Sequence, residues 1–252
     1  MSSRLNKNQI ERFSRQIILK KIGISGQKKI IDSKVLIIGM GGLGCPASEF
    51  LVRAGVGFLG IIDSDKVEIS NIHRQSLYDT SDLKKFKVIA AKKKLKKINT
   101  KTKIVCHKIR LNRNNFNKIL EKYDYVVDGS DNFKTKFLLN QFANKLKKIF
   151  IVGAISKYDG HIFSFNFKRN NEACLKCFYQ SEVNEEVLNC ETDGILGPVA
   201  AIVGNIQANE VLKCVLGLKN ELTNKILIIN LLNLTFRRTR FSKKKNCICG
   251  KK

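Results

Sequence analysis

Short apolar runs alternate with longer amphipathic stretches along most of this chain. After a polar start, for which one helix over about residues 8–22 is expected, KVLIIG (34–39) reads as a buried strand entering a glycine turn. Pro46 stands where a first helical turn tolerates proline, and Ala47, Phe50, Leu51 and Ala54 recur at helical spacing as one apolar face. GFLGIID (57–63), TKIVCHKI (102–109), YDYVVD (123–128) and IFIVGAI (149–155) repeat the strand pattern, with helices expected at 82–98, 113–122 and 132–147. The lysine-rich stretch 82–98 still reads as a helix, because Val88, Ala91, Leu95 and Ile98 keep one face apolar. The second half differs. It offers a hairpin around GHIFSFNF, a helix over 198–217 and the run KILIINLLNLTFRRTRF. Strand–helix alternation predicts an α/β fold with a doubly wound, mainly parallel sheet of Rossmann type, followed by a C-terminal lobe of antiparallel strands with a cysteine cluster. No internal repeat or linker divides residues 1–252, so a single domain is expected, with halves meeting near residue 155.

Apolar residues make up 43% of the 252 positions, enough to bury a sizeable core, yet the formal net charge is +26. Such an excess suits acidic partners, whether nucleic acid, an anionic membrane surface or an acidic protein, and equally suits lysines that are merely solvated. No C₂H₂ pattern, RNP1 sequence or basic recognition helix is present, so nucleic acid is not an expected partner. The polar start MSSRLNKNQIERFSRQ is unlike a signal peptide, and the apolar run from Ile195 to Gly204 is about half a membrane span. A cytoplasmic location with no membrane contact is the expectation. Eight cysteines in a reducing compartment then point to metal binding or thiol chemistry rather than disulfides.

The turn in VLIIGMGGLGC has the spacing Gly39-x-Gly41-x-x-Gly44, which matches a dinucleotide fingerprint and places phosphates at a helix N-terminus. Asp63, about 20 positions on, suits ribose hydroxyls, or is only a strand-end cap. An NAD-dependent oxidoreductase would fit equally well so far. Three features lead elsewhere. Arg74, beside the polar Asn71 in DSDKVEISNIHRQ, and Lys87 at the start of KVIAA supply more positive charge than a diphosphate needs. VVDGSDN carries Asp131 to a strand end, where a carboxylate can hold Mg²⁺ between phosphate oxygens or cap the helix over 132–147. No Walker A sequence occurs, which excludes a P-loop NTPase. His73 reads as loop packing, and Cys45, Cys106 and Cys214 as small buried hydrophobes. Cys174-x-x-Cys177 and Cys247-x-Cys249, some seventy residues apart, resemble a split structural Zn²⁺ site, although the second pair has a one-residue spacer.

RFSRQI, GMGGLG, DSDKVEISNIHRQ, DGSDN, CLKC and TDGILGPVAAIVGNIQANEVLK occur in an order that resembles the ThiF/MoeB/HesA family, small bacterial relatives of ubiquitin-activating enzymes, over nearly the whole chain. The resemblance implies ATP- and Mg²⁺-dependent adenylation of the C-terminal Gly-Gly carboxylate of a ubiquitin-like sulfur carrier, with release of pyrophosphate. A terminal carboxylate is ionised at neutral pH and needs no general base, in keeping with the lack of any His-centred triad. The resemblance assigns Gly39, Gly41, Gly42 and Gly44 to the nucleotide loop, Asp63 to ribose, Asn71, Arg74 and Lys87 to the phosphates, and Asp131 to Mg²⁺. It divides the domain into a nucleotide-binding half (1–155) and a carrier-binding, zinc-holding lobe (156–252). Arg15 is expected to reach the ATP of a partner subunit in a homodimer. Cys190, in LNCETDGILGP, falls where thiazole-branch members bond covalently with the carrier, which tips the pathway towards thiamine. A separate sulfurtransferase is a further expected partner. The competing readings are a molybdopterin-synthase carrier activator, a tRNA-modifying dehydratase, and a zinc-stabilised carrier-binding scaffold without catalysis.

Overall fold

The computed structural model describes residues 5–169, 172–179, 194–247 and 249. One eight-stranded sheet organises them, in the order β3-β2-β1-β4-β5-β6-β7-β8. The parallel part comprises β1 (Lys34–Ile38), β2 (Phe58–Ile62), β3 (Lys103–His107), β4 (Tyr125–Asp128) and β5 (Ile149–Ser156). The antiparallel strands β6 (Asp159–Asn166), β7 (Lys225–Asn230) and β8 (Thr235–Arg240) extend it, so the expected hairpin is β5–β6. Strand β1 shows why its sequence is an unbroken apolar run. Val35 and Ile37 face one hydrophobic layer while Leu36 and Ile38 face the other, as in a sheet covered on both sides.

The helices are α1 (Lys7–Arg12), α2 (Ser14–Ile17), α3 (Gly23–Asp32), α4 (Gly44–Ala54), α5 (Lys87–Ile98), α6 (Phe116–Leu120), α7 (Phe133–Lys145), α8 (Leu175–Phe178) and α9 (Gly197–Leu216). Three departures from the sequence reading have physical causes. The single helix expected over 8–22 is broken at Phe13, whose backbone leaves the helical region as its ring buries against Gly55, and α3 is an additional helix. Helix α5 starts at Lys87 rather than 82, because Thr80–Asp82 forms a 3₁₀ turn and Phe86 is extended. Phe50 is 49% exposed, since α4 turns Cys45, Ser48, Leu51 and Val52 inward between the sheet, α5 and α9. Of the three cysteines expected to be small buried hydrophobes, Cys45 is buried but Cys106 and Cys214 are only half-buried.

By length and apolarity α9 could cross a membrane, but it packs against α4, β5 and β6 as the central helix of one layer. Gln207 in its middle donates to the carbonyl of Asp128 at 2.8 Å, tying it to the end of β4. The Asp128 carboxylate is fully buried and pairs with Lys136 Nζ at 3.1 Å. That ammonium also donates to the carbonyls of Ser130 and Gly153, each at 2.7 Å, so all three of its protons have acceptors. One cation therefore joins β4, β5 and α7. Lys136→Met should cost about 3–5 kcal/mol of stability in urea unfolding, because it strands a buried carboxylate. Asp128→Asn combined with Lys136→Met should recover much of this; an equal loss in single and double variants would refute a charge-pair cause.

Candidate active site

Strands β1 and β4 are neighbours whose onward connections run to opposite sides of the sheet. Open α/β sheets bind ligands at the carboxyl ends of strands beside such a switch point. Here the two strand ends touch through backbone alone. Gly39 has φ +85°, and a Cβ on it would lie 2.7 Å from the carbonyl oxygen of Gly129. A Cβ on Gly44 would lie 1.9 Å from the Gly39 oxygen, so the turn closes only with glycine at both positions. Gly39 N–H is bonded to Ile62, Met40 N–H to Asp63, and Cys45 N–H to Gly41. Between them, the N–H groups of Gly41, Gly42, Leu43 and Gly44 have no acceptor among the described residues. These four donors open α4, whose dipole adds to their attraction for an anion.

A chain of hydrogen bonds fastens the neighbouring predicted residues to this loop. Asp63 accepts from Met40 N–H and Asp65 N–H, both at 2.8 Å. Burial raises its carboxyl above the ordinary range, and the charge of Lys87 pulls it back. Lys87 is buried, donates its backbone N–H to Asp65 O at 2.9 Å, and pairs through Nζ with the exposed Asp65 carboxylate at 3.2 Å. Arg74 crosses Gly42, its Cγ 3.6 Å from where a Cβ would stand there. Its Nη1 donates to Ser70 O at 2.8 Å and lies 2.7 Å from His73 Nε2. Asn71 is buried and accepts the Glu68 N–H, shaping the 3₁₀ turn that presents Arg74. His73, read in the sequence as loop packing, has an exposed side chain; its backbone carbonyl meets Gly197 at the start of α9.

Asp131 lies two residues past Gly129 and is exposed, accepting from Asn132 Nδ2 at 3.1 Å. It is not the cap of α7. Asn132 holds that place, accepting Thr135 N–H at 2.9 Å, so the Asp131 carboxylate is left for other partners. Arg15, a predicted site residue, is not gathered here. It is exposed on α2, which docks through Gln16 on Ala54 O at the C-terminal end of α4. The 11 residues of α4 put about 15 Å between that end and the glycine loop. Cys190 lies outside the described residues.

The four paired cysteines converge despite the short spacer. Cys174 Sγ is 3.5 Å from Cys247 Sγ and 4.0 Å from Cys177 Sγ, and Cys177 is 3.5 Å from Cys249. All four sulfurs lie within 4.8 Å of one another. Tetrahedral Zn²⁺ with thiolate ligands requires about 3.8 Å between sulfurs, so the donor set fits. Burial, and after it the charge of the neighbouring sulfurs, pushes the Cys174 thiol up to about 12, whereas hydrogen bonds hold Cys177 below the usual thiol range.

Some site residues were not singled out in the sequence. Tyr78 donates to Met40 O at 2.9 Å and reaches Lys87 O at 3.3 Å, bracing the loop against α5. Gln75, Asp128, Lys136 and Gln207 also escaped notice. Of these, Gln75 stands directly after Arg74 and Asp128 opens DGSDN, whereas Lys136 carries no such signal.

Comparison with known proteins agrees with this geometry. The family model described as "ThiF family" matches residues 13–251. A protein of Thermus thermophilus named "Sulfur carrier protein adenylyltransferase" is 36% identical over 252 residues, covering 98% of this chain and 93% of its own. One of Aedes aegypti, "Adenylyltransferase and sulfurtransferase MOCS3", is 39% identical over 244 residues, covering 96% of this chain. The chain spans about half the length of such insect relatives, 55% in that case. Among solved structures, Escherichia coli MccB in complex with MccA-N7isoASN is similar with a TM-score of 0.85 at 21% identity, over 98% of this chain and 76% of that one. The glycine loop at the switch point, the residues tied to it and the four-cysteine group thus belong to a chain of the ThiF family.

Proposed function

We propose that this protein adenylates the C-terminal carboxylate of a ubiquitin-like sulfur carrier with ATP. The observation that carries the reading is the row of four N–H groups, Gly41 to Gly44, without an acceptor among the described residues and flanked by Arg74 and the buried Lys87. The name and near full-length match of the Thermus relative support it. The ionised carrier carboxylate attacks the α-phosphorus; a C–O–P bond forms, and the bond to the bridging oxygen breaks as pyrophosphate leaves. No proton has to move, so positioning and neutralisation of developing charge account for catalysis. Asp63 orients the ribose, the loop N–H groups, Asn71 and Arg74 hold phosphates, and Lys87 exchanges the exposed Asp65 carboxylate for phosphate oxygens. Asp131 would hold Mg²⁺, which neutralises phosphate charge when bound. The half up to residue 155 serves the nucleotide, and the lobe over 156–252 serves the carrier.

The finer reading is a carrier of the thiamine thiazole branch, supported by the Asn189-Cys190-x-Thr192-x-Gly194 context. A molybdopterin-synthase carrier is the alternative, and the insect relatives' names keep a sulfurtransferase in view as a partner. Arg15 acts on the ATP of a second subunit, a role supported by its distance from its own glycine loop. Zn²⁺ at Cys174, Cys177, Cys247 and Cys249 pins the C-terminal segment to α8.

Carrier-dependent exchange of labelled pyrophosphate into ATP tests the reaction. Lys87→Ala or Asp131→Ala should lower it by about 10²-fold or more while the carrier still binds. With a persulfide sulfur donor supplied, Cys190→Ser should keep exchange but lose the reductant-labile acyl disulfide that a Cys190 persulfide forms with the adenylated carrier as AMP leaves, seen by mass spectrometry. Wild-type exchange in the first two variants would defeat the mechanism, and an unchanged adduct in the third would defeat the thiazole assignment.

Mixing Arg15→Ala with Asp131→Ala chains, each inactive alone, should restore activity, because one site of each hybrid dimer keeps both groups. No recovery after verified subunit exchange would place Arg15 in its own subunit's site.

Purified protein should carry about one Zn²⁺ per chain, and chelation should lower Tm by about 5 °C or more, since metal binding is coupled to folding. A metal-free protein whose Tm ignores chelators would mean that the one-residue spacer has abolished binding.

A further inference from the structure

Gln75 has no part in the roles assigned above, yet its side chain is in an unusual position. It is 3% exposed, with its backbone N–H bonded to Asn71 O at 3.0 Å. Its Oε1 is buried without a hydrogen-bond partner among the described residues. Its Nε2 lies 3.7 Å from the point where a Cβ would project from Gly41, and apart from Gly41 and its two chain neighbours no other described residue comes within 4 Å of that point. The carboxamide thus overlies the bare Cα of Gly41, the first residue in the row of N–H donors.

A buried amide oxygen without a partner is costly, and natural cores seldom keep one without a reason. Leucine would fill a similar volume at this position without that cost. The retained amide therefore needs a use for its other end. Nε2 offers two donors, a phosphate oxygen only accepts, and an amide turned the other way would set its oxygen against the anion. An amide also adds directionality without charge, beside an arginine and a lysine that already supply charge.

We propose that Gln75 is a further nucleotide-binding side chain, whose Nε2 donates to a phosphate oxygen of ATP lying over Gly41. This rests on the reading that the glycine loop binds ATP. The contact is made in the ground state and maintained through reaction. Losing it weakens nucleotide binding and raises the KM for ATP, with little change in kcat.

Titration calorimetry on the full chain with a non-hydrolysable ATP analogue tests this, with adenosine as the phosphate-free control. Gln75→Leu should weaken analogue binding by about tenfold, the effect of one hydrogen bond to a charged acceptor. Adenosine binding should stay unchanged. Gln75→Glu keeps the shape and should weaken the analogue further, because a carboxylate would then face the phosphates; it also serves if the leucine variant fails to fold. Analogue binding at wild-type strength in either folded variant overturns the proposal. So does an equal loss for adenosine, which would mark a merely structural role. A wild-type protein that binds adenosine but not the analogue, or neither, would instead bring down the adenylation reading and this contact with it.

Discussion

The structure depends on a buried lysine. Lys136 places its ammonium where β4 ends, bonded to the Asp128 carboxylate and to the carbonyls of Ser130 and Gly153. Asp128 Oδ1 in turn accepts the N–H and hydroxyl of Ser130, and Asp128 O accepts from Gln207. Irregular backbone leaves the sheet here, and its polar groups would otherwise be buried without partners. One cation with its counter-charge lets β4, β5, α7 and α9 converge at a dry corner. Removing either partner alone is more costly than replacing both.

That corner holds Gly129 against Gly39, and so sets the shape of the glycine turn. The turn has few bonds of its own. Met40 is held from both sides, by Asp63 on its N–H and Tyr78 on its carbonyl, while the next four N–H groups have no acceptor among the described residues. A row of donors fixed in this way would be preorganised for an anion, leaving little reorganisation when one binds. The α9 helix completes the arrangement, with Gly197 against His73 and Ala200 against Gly42. Antiparallel lobe and parallel half are therefore one body around the site.

The cysteine group plays a comparable part at the other end of the sheet. It links α8, which packs on α7, to the segment after β8, a strand whose six residues are all exposed. An exposed terminal strand has little apolar surface with which to fasten the chain that follows it. Convergent thiols supply a different kind of attachment.

The sequence by itself determined the parallel strands, the glycine turn, and the residue types that an ATP-dependent carboxylate activation requires. These are local matters: an unbroken apolar run marks a doubly covered strand, and glycine spacing marks a backbone path no other residue can take. Periodicity could not see that Phe13 would leave its helix to reach Gly55, nor which arc of α4 would be buried, because partners distant in sequence decide both. Spacing likewise argued against the Cys247-x-Cys249 pair, whereas the fold brings all four sulfurs together, since metal geometry constrains positions in space rather than in sequence. Asp131 was legible as a strand-end carboxylate, but only the structure assigned the cap to Asn132 and so left Asp131 open. Lys136 looked like one lysine among many. Its burial beside Asp128 is a tertiary decision, because a charge enters a core only where the folded chain has already assembled its partners.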